Sequence, residues 1–190
     1  MKKILMIAAL MVATLSVSAQ NKVGQVTLKP MVGMTLTTIT GGNADMKVGL
    51  AAGAEVEYGI ADQFGLTGGL IYSMQGAKYS SGTVKQTANL DYLNIPVLAN
   101  YYIIPGLAVK AGLQLGFNVR SKFKQDAGNS SSEADMNAKT VDFSIPFGVS
   151  YQISDFVIDA RYQLGLTDTG DGGSSKNSVF MFSVGYKFEL

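Results

Sequence analysis

Phe180, Phe182, Val184, Tyr186 and Phe188 are apolar or aromatic, and Met181, Ser183, Gly185, Lys187 and Glu189 stand between them. A strict period of two excludes an amphipathic helix, whose apolar stripe recurs every three or four residues. It demands an extended strand with one apolar face. The same alternation runs through Phe156, Ile158, Ala160, Tyr162, Leu164 and Leu166, and again through Leu107, Val109, Ala111, Leu113, Leu115, Phe117 and Val119. Such runs are roughly twice the common strand length of about five or six residues.

The pattern predicts eight strands, over residues 25–36, 47–58, 63–75, 87–103, 107–121, 139–152, 156–167 and 178–188. Their connections alternate in length. Gly59–Asp62, Ile104–Gly106 and Ile153–Asp155 are tight turns, and Pro105-Gly106 suits a type II turn. Thr37–Met46, Gly76–Gln86, Lys122–Ala138 and Asp168–Asn177 are longer and polar. One face of each strand is apolar with almost no charge, while the other is Gly, Ser, Thr, Gln and charged pairs. A two-sheet sandwich could bury such an apolar face against a second layer. Long regular strands with short and long connections on opposite ends fit better an all-β, eight-stranded antiparallel up-and-down transmembrane β-barrel. In hydrocarbon an open sheet edge leaves backbone groups unpaired, so the sheet must close.

The start of the chain agrees with export. Lys2 and Lys3 precede the apolar run Ile4–Ala13, and Val17-Ser18-Ala19 supplies small residues for a peptidase. This predicts a cleaved signal peptide over 1–19 and a barrel over 20–190. No later segment approaches the ~20 apolar residues of a membrane helix.

The absence of Cys removes disulfides, thiol catalysis and cysteine-ligated metals, and the absence of His removes the commonest general base and metal ligand. A Ser–Lys dyad remains formally open, but no strand pairs the two inward. A formal charge of +1 argues against nucleic acid as a partner. Asp168-Thr169-Gly170-Asp171-Gly172-Gly173 is acidic enough to suggest calcium, yet its spacing fits no established loop and it reads as a solvated turn. The expectation is therefore a non-enzyme with no cofactor and no metal.

An eight-stranded barrel is just wide enough for side chains to fill it. By strand parity the inward charges are Lys29, Lys110, Arg120, Arg161 and Lys187 against Glu55, Glu57, Asp142, Asp159 and Glu189. Enclosed charges are costly unless paired, so this balance predicts a structural ion-pair network that plugs the lumen. A selective pore would favour one sign. Inward glycines, Gly69 and Gly148 among them, leave room for long side chains. Tyr58, Phe64, Tyr101, Tyr151, Phe156 and Phe188 fall near the short turns, and Tyr72, Phe117, Phe143 and Phe180 near the long loops, as two interfacial girdles would.

Three stretches carry a family resemblance. Leu90-Asp91-Tyr92-Leu93-Asn94-Ile95-Pro96-Val97-Leu98 resembles the "Tyr-Leu-x-Ile-Pro" strand of the outer-membrane β-barrel proteins of Bacteroidota. These are the porin-family and PorT-like proteins, of the OmpA/OmpX type. Arg161-Tyr162-Gln163-Leu164-Gly165-Leu166 resembles their "Arg-Tyr-x-x-Gly-Leu" strand, and Ser183–Leu190 resembles their last-strand assembly signal, with Gly185, Phe188 and Leu190 in the matching places. The resemblance implies a monomer in the bacterial outer membrane with both termini periplasmic and the long loops external. Its partners would be outer-membrane lipid and, during insertion, the barrel-assembly machinery. The implied roles are a structural or surface-interaction barrel, a narrow porin or small-solute channel, or a component of a secretion or assembly complex. Shared fold does not choose among them.

Overall fold

The computed structural model describes residues 22–40, 45–81, 84–127, 130–135, 139–168 and 175–190. The signal peptide expected over 1–19 lies outside these residues, as does most of the acidic turn 168–173.

Every strand pairs antiparallel: β1 Val26–Ile39, β2 Lys47–Ala61, β3 Phe64–Ser81, β4 Val84–Ile104, β5 Leu107–Ala127, β6 Ser130–Asp135, β7 Val141–Ile153, β8 Phe156–Asp168, β9 Lys176–Tyr186 and β10 Phe188–Glu189. Eight of them form the wall in the order β1-β2-β3-β4-β5-β7-β8-β9. β9 returns to β1, from Met31↔Gly185 to Ile39↔Asn177, and closes the barrel. β10 extends this seam past Lys187 with Leu28↔Phe188. β6 pairs with β5 above the wall.

The three tight turns share one end. Gly106 has φ +83°, the left-handed value that the third position of a type II turn requires. Leu190 N donates to Val26 O at 3.0 Å, so the start of β1 and the last residue lie at this same end.

The period of two becomes an inside and an outside. In β8, Val157, Asp159, Arg161, Gln163 and Gly165 are buried, while Ile158, Leu164 and Leu166 face out. Val32, Leu50 and Leu113 are more than 60% exposed on the outer face, and Leu70 and Phe182 are about half exposed there. An apolar outer wall of this extent is unstable in water and at home in hydrocarbon. Aromatic pairs cluster at its edges: Phe64 with Tyr101, Phe156 with Tyr186, Tyr186 with Phe188, and Tyr162 with Phe180.

Three departures from simple alternation matter. First, much of the expected loops 76–86 and 122–138 is ladder. β3–β4 pairing continues to Ser81↔Val84, and β5–β6 pairing runs from Lys122↔Asp135 to Ala127↔Ser130. Among the described side chains the outward ones, Lys78, Thr87, Lys122 and Lys124, are polar, which hides the strand period. Inward, Ala77 and Leu90 pack with Ile39, Tyr92 and Tyr79.

Second, β5 carries a bulge. Tyr92 faces Asn118 but Asp91 faces Arg120, leaving Val119 as the extra residue. One extra residue turns every later side chain to the opposite face.

Third, three prolines sit inside wall strands, each keeping one ladder and interrupting the other. β3–β4 pairing skips from Gly68↔Val97 to Ile71↔Asn94 around Pro96. β5–β7 pairing skips from Ala111↔Phe147 to Gln114↔Ser144 around Pro146. The seam skips from Met31↔Gly185 to Leu28↔Phe188 around Pro30. Proline has no N–H to donate, so one side of each must go unpaired.

Candidate functional site: the charged lumen

Inward residues stack in layers from the short-turn end. Near that mouth, Tyr102 Oη donates to Glu57 Oε1 at 2.6 Å, and Lys187 Nζ lies 3.5 Å from Glu57 Oε2. The Lys187 ammonium also stands 5.8 Å above the Tyr102 ring, within reach of its negative face. Beside it lies a recess of about 10 Å³, lined in part by Lys29, Lys110 and Lys187.

Above the mouth sits a five-residue ion cluster drawn from β1, β2, β5 and β8. Arg161 donates through Nη1 to Glu55 Oε1 at 2.7 Å, through Nε to Asp159 Oδ1 at 2.7 Å and through Nη2 to Asp159 Oδ2 at 2.9 Å. Lys29 Nζ is 2.7 Å from Glu55 Oε2, and Lys110 Nζ is 2.9 Å from Asp159 Oδ2. Cross contacts of 3.8 Å (Lys110 to Glu55) and 3.9 Å (Lys29 to Asp159) join these into one network. Glu55 Oε2 accepts no ordinary hydrogen bond, and the Lys29 ion pair is what compensates it. Arg161 on β8 reaches Glu55 on β2 with β9 and β1 between them in the ring, so the cluster crosses the interior.

Glycine makes room for this crossing. A methyl group at Gly69 would lie 2.8 Å from Glu55 Cγ, and one at Gly148 would lie 2.8 Å from Arg161 Cβ. Only a residue without Cβ lets these chains lie flat across the neighbouring strand.

An apolar layer of Met31, Ala51, Ile71 and Met181 follows. Next comes an amide network. Gln114 Nε2 lies 3.0 Å from Gln163 Oε1 and 3.2 Å from both Asn94 Oδ1 and Ser144 Oγ, and Asn94 Nδ2 donates to Ser73 Oγ at 2.8 Å. Near the long loops, Lys47 Nζ donates to Gln75 O at 2.6 Å. There Asp142 accepts from Thr167 Oγ1 at 2.9 Å and from Asn177 Nδ2 at 3.4 Å, with no cation among the described residues in ion-pair contact.

Of the ten charges that parity assigns inward, Lys29, Glu55, Lys110, Asp159 and Arg161 meet in the cluster, Glu57 and Lys187 pair at the mouth, and Asp142 sits alone at the far end. Arg120 is not in the lumen. The bulge at Val119 puts it on the outer face, 52% exposed, 3.8 Å from Asp91 and 3.7 Å from Glu133. Asp91 in turn accepts from Tyr72 Oη at 2.8 Å. Glu189 is exposed on β10, past the seam gap. Lys47, buried at the start of β2 and in step with Glu55 and Glu57, is a further inward charge that the sequence reading did not include. Gly185 closes the seam opposite Met31, Phe188 packs on Tyr186, and Leu190 bonds back to Val26. Among the described residues no group of three or more acidic side chains could hold a metal.

The profile of the outer membrane protein beta-barrel domain matches residues 13–171. No curated protein matches in sequence. Among solved structures, the attachment invasion locus protein Ail of Yersinia pestis, crystallised with the heparin analogue sucrose octasulfate, is 16% identical. That match covers 88% of this chain and all of Ail, with a TM-score of 0.51. Neisserial surface protein A is 17% identical over 87% of this chain and 97% of its own, also at a TM-score of 0.51. At these identities the likeness is one of fold.

Proposed function

The chain belongs to the outer membrane protein β-barrel domain family, whose place is the bacterial outer membrane, and from that premise we propose that it is a plugged structural and surface-interaction barrel. One observation carries this reading: five buried charged side chains from β1, β2, β5 and β8 bond to one another across the lumen. Each carboxylate is held by more than one cation, so an ion can pass only if several short contacts open together. Removing a single partner of a buried pair costs about 3–5 kcal/mol, which sets the scale of that barrier.

With its interior closed, the barrel acts through its ends. The tight turns and both termini face the periplasm. The β3–β4 and β5–β6 hairpins stand outside, where their polar outward faces meet other molecules. Gly185, Phe188 and Leu190 form the signal that the assembly machinery reads, and the inserted protein is a monomer surrounded by lipid. The test is electrical. Purified barrel in a planar bilayer gives no reproducible single-channel steps, and stable steps of fixed conductance would refute the plugged reading.

A further inference from the structure

The charges in the short-turn half of the lumen do not cancel. Lys29, Lys110, Arg161 and Lys187 contribute four positive charges there, and Glu55, Glu57 and Asp159 three negative ones. Lys47 and Asp142 offset each other at the opposite end. Three further acids stand near this mouth. Asp62 in the β2–β3 turn and Glu189 at the rim are exposed, and Asp155, also exposed, accepts from Tyr186 Oη. Water screens all three far more than it screens the enclosed groups. One positive charge is therefore in surplus inside the wall, where an uncompensated charge is costly.

The surplus has an address. Lys29, Lys110 and Lys187 converge on the recess of about 10 Å³, whose lining also includes Glu57, Tyr102 and Gln152. A space of that size takes one water-sized species. Phosphate and sulfate are too large for it. An ammonium has three donors, so Lys29 and Lys110 can each hold a carboxylate on one side and face the recess with another N–H.

We propose that this recess binds a single monatomic inorganic anion, of which chloride is the abundant example, and that the anion completes the charge balance of the plug. The site is part of the folded wall. It is reached from the short-turn mouth, and its occupancy does not depend on whether the barrel conducts.

The experiment uses the whole folded barrel in detergent. Crystals grown with bromide in place of chloride are measured at the bromine absorption edge. An anomalous peak is expected in the recess, in contact with lysine Nζ atoms. In solution, the thermal midpoint should rise with chloride but not with gluconate at equal ionic strength. Lys187→Met brings the layer to three charges of each sign and should abolish both the peak and the chloride-specific rise. Should that variant fail to fold, Glu57→Gln doubles the surplus and should retain the peak and enlarge the chloride response. A wild-type recess without bromine signal, or a chloride response unchanged in Lys187→Met or reduced in Glu57→Gln, overturns the proposal.

Discussion

Consider replacing Glu55 with Gln. The carboxylate lies 2.7 Å from Lys29 Nζ, 2.7 Å from Arg161 Nη1 and 3.8 Å from Lys110 Nζ. At an effective dielectric of about 20, the Lys29 contact alone is worth ~6 kcal/mol of Coulomb energy. Most of that is offset by the several kcal/mol each ion gives up on leaving water. Gln conserves the volume, so the substitution tests charge and not packing. It leaves Lys29 with Asp159 as its next carboxylate, at 3.9 Å. Glu55→Gln is therefore expected to lower unfolding stability by about 3–5 kcal/mol, the usual result of orphaning one member of a buried pair. Lys29→Met should be costly for the same reason. The double variant should be less damaged than the sum of the two by about 2 kcal/mol, within the range found for contacting residues. Urea titration of the barrel refolded in lipid vesicles, followed by tyrosine fluorescence and heat-dependent gel migration, measures all three. A loss under about 1 kcal/mol for Glu55→Gln, or strict additivity in the double variant, would mean these groups are separately hydrated. The lumen would then be wet and open.

Arg120→Ala should change stability by less than about 1 kcal/mol in the same titration, because its ion pairs are long and exposed; Arg161→Ala should cost several times more. Gly69→Val places a side chain against Glu55 and should cost about 1–3 kcal/mol through overpacking, read from the urea midpoint. Tyr102→Phe removes the donor to Glu57 and should cost about 1.5–3 kcal/mol, the usual worth of a hydrogen bond to a charged group. In the β5–β6 hairpin, the Lys122 ammonium bonded to Glu133 holds that carboxyl below its ordinary value. The contact is therefore fully present at neutral pH and is lost as pH falls through that lowered value. Carboxyl NMR of Glu133 should show a low titration midpoint that Lys122→Ala moves up, and an unmoved midpoint would deny the pairing.

The barrel was legible because its wall obeys one rule for most of its length. Residues 107–118 alternate without fault, so Lys110 could be placed inside by counting alone. Counting fails where the backbone slips. Val119 looks like one more apolar member of β5, yet it is the bulge, and Arg120 goes outside with Lys122 and Lys124. Nothing local marks the slip, because it is set by where Asp91 and Tyr92 settle on the neighbouring strand. Glu189 escaped for a related reason: the seam breaks at Pro30 and Lys187, so β10 lies beyond the enclosed layer. The partners within the cluster could not be read from the chain either. Arg161 and Glu55 stand on strands that never touch, and only ring closure brings them together.

Pro30, Pro96 and Pro146 bear on the chain before it has a barrel to belong to. Long alternating segments with one greasy face are templates for intermolecular cross-β stacking, and this chain carries eight of them. A residue that cannot donate from its backbone spoils such stacking, since every rung of a fibril needs both edges of every strand. Each proline keeps a register partner on one side only, Ala54, Gln114 and Gln163 respectively. A closed ring tolerates three one-sided gaps; an endless stack of identical copies would repeat each gap at every layer. The native ladder gives up a few hydrogen bonds, and in return β1, β4 and β7 resist aggregation while the chain is still unfolded.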